Sequence, residues 1–200
     1  MIILSESTKN LGAHKSMKAM ITSVLFFFLL STFSLPLSFG LPVEDVQLVA
    51  DAQYFPAAKK MIQEAKRSVQ VMMFEMGYYD EYPSTPSNLL IKELVHAKKR
   101  GVKVEVILEV REGEDRTTKR NRHTGKILSK GGVEVTFDSL SITTHTKGMV
   151  VDGQLTLLGS TNWTYHALTE NHEVSVLIRS KEVAREFTDY FNRVKGSKKK

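Results

Sequence analysis

One short stretch of the sequence carries residues that can do covalent chemistry. His145, Lys147 and Asp152 stand in the spacing H-x-K-x-x-x-x-D. Near neutral pH a histidine acts either as a neutral nucleophile or as a protonated acid. Composition alone would produce this triplet in roughly one such chain in fifty. The pattern is therefore only moderately specific and needs support from the sequence around it.

Polar residues downstream supply that support, because they stand at the ends of neighbouring predicted strands. Ser160 and Asn162 follow one strand, and Glu173 precedes the next. The strand interiors between them are apolar, and functional side chains are commonly carried on loops that a rigid scaffold positions. We therefore expect these three side chains to lie near His145.

Short β-branched runs alternate with helical patterns from Val46 onward, which is typical of an α/β domain. The sequence predicts one such domain, with a mixed, mostly parallel β-sheet flanked by helices on both faces. The predicted strands cover residues 46–50, 69–76, 102–110, 133–137, 147–151, 155–158 and 174–178. The predicted helices cover residues 56–67, 87–100, a basic part of 111–130, and a closing segment from 183 to 194. Lys147 thus begins a strand, and Asp152 opens a tight turn after it.

The motif, the Gly-Ser-x-Asn segment at residues 159–162 and the later Glu173 together resemble the phospholipase D superfamily. The resemblance covers residues 46–194 and implies a phospholipase D-like fold. It also implies a metal-free, two-step phosphoryl transfer that needs no cofactor. One motif histidine attacks phosphorus and forms a phosphohistidine, and a second protonates the leaving oxygen and later activates water. His145 would be the nucleophile.

The resemblance implies a role for each of the other candidate residues. Lys147 would neutralise the non-bridging phosphate oxygens, and Asn162 would donate hydrogen bonds to the same oxygens, with Ser160 as a minor phosphate contact. Glu173 would hydrogen-bond a motif histidine, fixing its tautomer and raising its basicity. Asp152 would be mainly structural and would order the turn beside the lysine.

The chain carries one copy of the motif, whereas the implied mechanism needs two histidines. A homodimer with the active site at its two-fold interface would supply both, as in the single-motif nuclease branch that this short chain most resembles. A single copy would then hold half of a site.

Composition favours an anionic partner. The formal net charge is +6 and the sequence pI is near 9.4, and basic surface attracts phosphates and anionic lipid headgroups. We expect a metal-independent, sequence-nonspecific endonuclease that cleaves DNA, with RNA as an additional candidate substrate. The alternatives are a phospholipase D that hydrolyses phospholipid headgroups, and an inactive basic module that binds nucleic acid or membrane.

The residue inventory narrows the chemistry further. The chain has no cysteine, which excludes disulfides, thiolate metal sites and a cysteine nucleophile. His166 and His172 are not spaced from the candidate residues as the ligands of a compact metal-binding motif are. We therefore predict no metal site.

Two further segments have alternative interpretations. Tyr78, Tyr79 and Tyr82 either stack on bases near the site entrance or pack on their own domain. The basic residues between Arg111 and Lys130 either line a groove that follows a nucleic-acid backbone or form a solvated face.

The N-terminal segment has the pattern of an export signal. No charged residue occurs between Lys18 and Glu44, and the small residues at 38–40 suit cleavage after Gly40. Residues 1–40 are therefore either a signal peptide, with Met17 as an alternative start, or a retained anchor that contacts the membrane through residues 19–39. The protein would be periplasmic or secreted in the first case and membrane-anchored in the second. Residues 41–194 would form the catalytic domain, and residues 195–200 a basic disordered tail.

Overall fold

Seven strands form a single sheet in the computed structural model, which describes residues 40–197. They are β1 Asp45–Ala50, β2 Ser68–Met73, β3 Lys103–Leu108, β4 Glu134–Phe137, β5 Lys147–Val151, β6 Leu155–Gly159 and β7 Val174–Arg179. Their order across the sheet is β1-β7-β6-β5-β2-β3-β4. All seven predicted strands are present, with bounds that differ by no more than three residues.

The sheet is mixed, but the prediction that it is mostly parallel is wrong. Four of its six pairings are antiparallel, and only β2–β3 and β3–β4 are parallel. Parallel neighbours need a long crossover, and in this fold a helix connects the two strands of each parallel pair, β2 to β3 and β3 to β4. The turn between β5 and β6 is too short for a crossover. Asp152 and Gly153 have φ values of 55° and 66° there, the left-handed conformation of a tight hairpin turn.

Within residues 40–197, five α-helices cover the two faces of the sheet. They are α1 Tyr54–Glu64, α2 Pro86–Lys99, α3 Arg116–Lys130, α4 Tyr165–Thr169 and α5 Lys181–Gly196. The first four helices contribute to a large core on one face. α5 packs Phe187 and Phe191 against Met72, Ile107 and Val150 on the other face. The prediction of helices on both faces is confirmed, whereas α4 was not predicted.

α5 lies close to the sheet because β5 has a glycine beneath it. A Cβ atom at Gly148 would lie 2.6 Å from the ring of Phe187, which real Cβ contacts do not allow. The closing helix also runs to Gly196, two residues into the segment predicted as a tail. The ammonium group of Lys195 contacts the carboxylates of Glu105 and Glu134, and these ion pairs hold the last turn of the helix in place.

The remaining predictions for the termini fall outside the described residues. The predicted leader, apart from Gly40, and residues 198–200 are among the parts that the structure does not describe. Of the helices in residues 40–197, none has the length and apolar character needed to cross a membrane.

The pairings bring several strand ends to one edge of the sheet. The end of β2 pairs with the start of β5 through Met73 and Lys147, and the start of β5 pairs with the end of β6. β6 in turn ends beside the start of β7, where Gly159 pairs with Ser175. We call this edge the motif edge, because residues 145–147, 160–162 and 173 all stand on it.

Candidate active site

His145 lies at the motif edge in the loop that leads into β5, and its side chain is exposed. Its ring contacts Phe74, with 4.5 Å between the ring centroids and an interplanar angle of 56°. Among residues 40–197, no side chain forms a hydrogen bond with the imidazole. The ring nitrogens are therefore open to an incoming ligand, as a nucleophile requires.

The residue before His145 is fixed by two buried carboxylates that the sequence analysis missed. The backbone N–H of Thr144 donates to Glu109 Oε2 at 2.6 Å, and its hydroxyl donates to the carboxylate of Asp138. Glu109 and Asp138 are 1% and 5% exposed. Glu109 directly follows β3, and Asp138 directly follows β4. An acidic residue at the end of a predicted strand was therefore the sequence signal that could have identified each of them. These two hydrogen bonds of Thr144 therefore fix the position of the backbone at His145.

Lys147 is the buried cation of the site, with 7% of its surface exposed. Its Nζ donates to the carbonyl oxygen of His145 at 2.7 Å and lies 4.7 Å from the centroid of the Phe74 ring. Burial lowers the pKa of Lys147 below its usual value, and the carboxylates of Glu173 and Glu75 partly oppose that shift. An anion bound beside this ammonium group would further stabilise its protonated form.

Asn162 is held by its side-chain oxygen, which leaves its amide N–H groups as donors. Oδ1 accepts from the backbone N–H of Glu75 at 3.2 Å. No acceptor for Nδ2 is found among the residues that the structure describes. The next residue, Trp163, is fully buried and exchanges backbone hydrogen bonds with Glu75 and Gly77, at 3.0 and 2.8 Å. Trp163 thus fixes the loop that presents Asn162.

Glu75 connects this loop to a helix and was also missed. It lies two residues beyond β2, and its carboxylate pairs with the guanidinium of Arg120 on α3. Arg120 is one of the basic residues between Arg111 and Lys130, which the sequence predicted either to line a groove or to form a solvated face. Its side chain is only 21% exposed, so it is part of the wall of the site.

Glu173 is oriented by neighbours at the start of β7. The Ser160 hydroxyl donates to Glu173 Oε2, and Asn171 Nδ2 donates to Oε1 at 3.2 Å. Ser160 therefore orients Glu173, and its contact with substrate phosphate stays a prediction. Neither carboxylate oxygen contacts His145 within one chain, so the predicted bond from Glu173 to a motif histidine is not made there.

Asp152 is the one candidate that the fold does not bring to the motif edge. It follows the last residue of β5, and this five-residue strand separates it from Lys147 by about 16 Å. Its carboxylate accepts the backbone N–H groups of Lys66, Arg67 and Ser68, at 3.0, 2.7 and 2.9 Å. Burial by itself would raise the pKa of Asp152, but these donors and the Arg67 guanidinium hold it below its usual value. Its role is to fix the start of β2.

The other histidines in residues 40–197 take part in local contacts. His166 Nδ1 lies 2.6 Å from Glu170, and His172 Nδ1 lies 3.4 Å from Asp51. In the described part of the chain, no three His, Asp or Glu side chains are grouped as metal ligands.

A known protein family matches most of the described chain. The profile of the family described as "Cardiolipin synthase, PLD-like domain" matches residues 58–195. The chain belongs to this phospholipase D-like family. The match extends from α1 to the last turn of α5 and includes every candidate residue named above.

Curated members of this phospholipase D-like family include two named activities. Mitochondrial cardiolipin hydrolase of Xenopus tropicalis is 31% identical over 130 residues, which are 65% of this chain and 55% of that protein. Phospholipase D of Rickettsia prowazekii is 25% identical over 126 residues, which are 62% of this chain and 58% of that protein. The chain thus spans about half the length of the curated relatives it matches.

Solved structures that are similar to this chain show the same fold. Nuc from Salmonella typhimurium, a phospholipase D family member, superposes with a TM-score of 0.63 and 25% identity, over 75% of this chain and 93% of that one. NucT from Helicobacter pylori gives a TM-score of 0.56 over 75% and 96%, and at 16% identity it supports the fold alone.

The anchoring of Thr144 generates a prediction. Replacement of Thr144 by Val keeps the side-chain shape but removes the hydroxyl group that donates a hydrogen bond to Asp138. The position of His145 should therefore shift. We expect kcat on bis(4-nitrophenyl) phosphate to fall about tenfold to a hundredfold. Urea unfolding should show a loss of about 1–3 kcal/mol in unfolding free energy, with the protein still folded.

The matched control is Ser141→Ala, in the same loop, where the exposed hydroxyl has Ser139 as its one hydrogen-bond partner among the described residues. This variant should keep kcat within about twofold of the wild type. A Thr144→Val protein with wild-type kcat would show that the anchor does not position the histidine.

Proposed function

We propose that the protein is a phosphodiesterase that cleaves nucleic acid through a phosphohistidine intermediate on His145. The observation that carries this proposal is the pair of donors beside the exposed imidazole. Lys147 presents a buried ammonium group and Asn162 presents free amide N–H groups on the same edge of the sheet. Such donors stabilise the charge that gathers on non-bridging oxygens during phosphoryl transfer.

The proposed reaction has two displacements at phosphorus. In the first, a ring nitrogen of His145 forms a bond to phosphorus while the bond to the leaving oxygen breaks, and a second histidine donates a proton to that oxygen. In the second, the same histidine takes a proton from water as the water oxygen displaces the His145 nitrogen. Lys147 supplies the positive charge beside the phosphate, so the proposed reaction needs no metal ion.

The second histidine would come from a second copy of the chain. Within one copy of the chain, Ser160 orients the carboxylate of Glu173, and this carboxylate does not contact His145. In the proposed homodimer, the two motif edges face each other, so that each copy contributes one His145 and the carboxylates lie near both. The two-fold axis would pass through the site.

An apolar surface next to the motif edge supports this assembly. On the face of the sheet that carries α5, the strands β1, β6 and β7 expose apolar side chains that the helix does not cover. We call this surface the open apolar face, and it consists of Val46, Leu48, Leu158, Val174, Val176 and Ile178. Leu48 and Val174 are 64% and 52% exposed. Val174 directly follows Glu173, so a second copy seated here would reach the site.

The first prediction concerns the chemistry. The full-length chain should nick supercoiled plasmid in excess EDTA, because the Lys147 ammonium group supplies positive charge beside the phosphate and Asn162 adds hydrogen bonds. His145→Ala should lower the rate by at least about a thousandfold, since the nucleophile is lost. The control is His96→Ala, which removes a 58% exposed histidine on α2 and should leave nicking unchanged. Cleavage that EDTA abolishes would contradict the metal-independent mechanism.

The second prediction concerns the assembly. Leu48→Glu places a charge in the centre of the open apolar face, so sedimentation should show monomers and nicking should be lost together. Tyr190→Glu is the control, because Tyr190 is also an exposed apolar side chain, at 40%, but lies on α5 and not on the strands of the open apolar face or at the motif edge. It should remain dimeric. A Leu48→Glu monomer that retains full activity would refute the shared site.

A second candidate function is hydrolysis of phospholipid headgroups. Leu140 and Ile142 are 52% and 69% exposed in the loop that leads to His145, where they are placed to enter a lipid surface. The named activities of the curated relatives fit this alternative as well. Release of headgroup from phosphatidylcholine or cardiolipin vesicles, without any plasmid nicking, would favour it. Export or membrane anchoring through residues 1–40 remains a proposal from the sequence alone.

A further inference from the structure

A pocket of about 400 Å³ opens beside the motif edge, between α3, α4 and the loop that precedes α2. Its walls combine aromatic rings with cationic groups. They are formed by Tyr79, Tyr82, Arg116, Arg120, Tyr165 and His166. The volume lies in the range of ordinary small-ligand sites.

Arg120 joins this pocket to the catalytic residues. Its guanidinium lies 5.3 Å from the centre of the Tyr79 ring and also pairs with Glu75, whose backbone N–H holds Asn162. Gly77 allows this close approach, because a Cβ atom there would lie 3.0 Å from both the Arg120 side chain and the Tyr79 hydroxyl. Glu75 links Arg120, in the pocket wall, to Asn162, the residue that we propose donates to the scissile phosphate. A ligand that contacts Arg120 is therefore one residue away from that donor.

The aromatic walls are held in position before any ligand binds. Asn88 accepts the backbone N–H of Tyr79 at 2.8 Å, and its amide donates to the carbonyl oxygens of Tyr79 and Tyr82 at 2.8 and 3.1 Å. The Tyr79 hydroxyl accepts the backbone N–H of Tyr165 at 3.2 Å. Even so, the rings of Tyr82 and Tyr165 remain 63% and 39% exposed. The loop is ordered while its rings are left open to a partner.

We propose that this pocket binds a nucleobase next to the scissile phosphate, and that it makes the protein prefer single-stranded nucleic acid. This inference rests on the proposed function and adds the form of its substrate. A planar base stacks on tyrosine faces regardless of its sequence. The exposed Arg116, which has no ion-pair partner among residues 40–197, is placed to meet the next phosphate. Bases in a duplex are stacked on one another and do not present a free face to the pocket.

The test measures binding separately from cleavage. The His145→Ala full-length chain is titrated with a fluorescein-labelled single-stranded oligonucleotide, and anisotropy gives the Kd. Adding Tyr82→Ala should weaken binding about tenfold, whereas Tyr82→Phe, which keeps the ring, should bind within about twofold of the parent. Tyr190→Ala is the matched control, because Tyr190 is 40% exposed on α5, across the sheet from the pocket, and should change nothing.

Two further probes identify what Tyr82 recognises. An oligonucleotide of the same length with abasic positions should bind Tyr82→Ala and its parent equally, and so should a duplex. If Tyr82→Ala weakens binding of normal and abasic strands alike, or weakens neither, the base pocket is wrong. Binding that depends on Tyr82 only with phospholipid vesicles would also overturn it.

The outcomes separate this inference from the function on which it rests. Tyr82-dependent binding of single strands by a wild-type chain that cleaves no nucleic acid would refute the proposed function but leave the pocket in place. Cleavage of single strands and duplexes at equal rates, with no effect of Tyr82→Ala, would refute the pocket alone.

Discussion

The buried ammonium group of Lys147 is the constraint on which the rest of the site depends. A charge removed from water must be compensated by nearby dipoles and opposite charges. Lys147 donates to the carbonyl oxygen of His145 and lies over the Phe74 ring, and Glu173 and Glu75 oppose the fall in its pKa. Each of these carboxylates needs partners in turn. Ser160 and Asn171 orient Glu173, and Arg120 pairs with Glu75, so the loops of the motif edge are tied together around one cation.

The same constraint explains why the site stands at an edge where antiparallel strands meet. The pairing of Met73 with Lys147 places the end of β2 beside the start of β5, which brings Glu75 and Asn162 near the lysine. Parallel pairing of these strands would send the end of β2 to the opposite edge. The fold thus builds the candidate site from the loops at the strand ends. It also leaves the imidazole of His145 uncovered and the open apolar face beside it, as expected for half of a shared site.

The sequence predicted the strands well, because β-branched runs between turn residues are a local signal. It also predicted that His145, Lys147, Asn162 and Glu173 come together, since each stands at a strand end. It did not predict the antiparallel pairings, because strand order depends on contacts between distant segments. Asp152 shows the same limit. Its spacing from Lys147 suggests a common site, but a strand of five residues carries it to the far edge of the sheet.

The residues that the sequence missed act through contacts made only in the folded chain. Glu75 resembled an interruption in an apolar strand, and Arg120 was one cation among many. Glu109 and Asp138 gain their role by meeting at Thr144, which lies 35 residues from the first and six from the second. Their positions at the ends of predicted strands were a signal, but a weak one, because carboxylates after strands also occur in solvent. Burial distinguishes them, and burial is a property of the whole fold.

The central claim is that phosphorus becomes bonded to a nitrogen of His145. The direct measurement is mass spectrometry of a reaction with a single-stranded oligonucleotide, quenched in base and digested with trypsin. The peptide that covers residues 131–147 contains His145 as its only histidine. We predict a nucleotidyl adduct on this peptide that is stable in base and lost in mild acid. Turnover without any adduct, or with an acid-stable adduct on a serine or threonine of the same peptide, would contradict the mechanism.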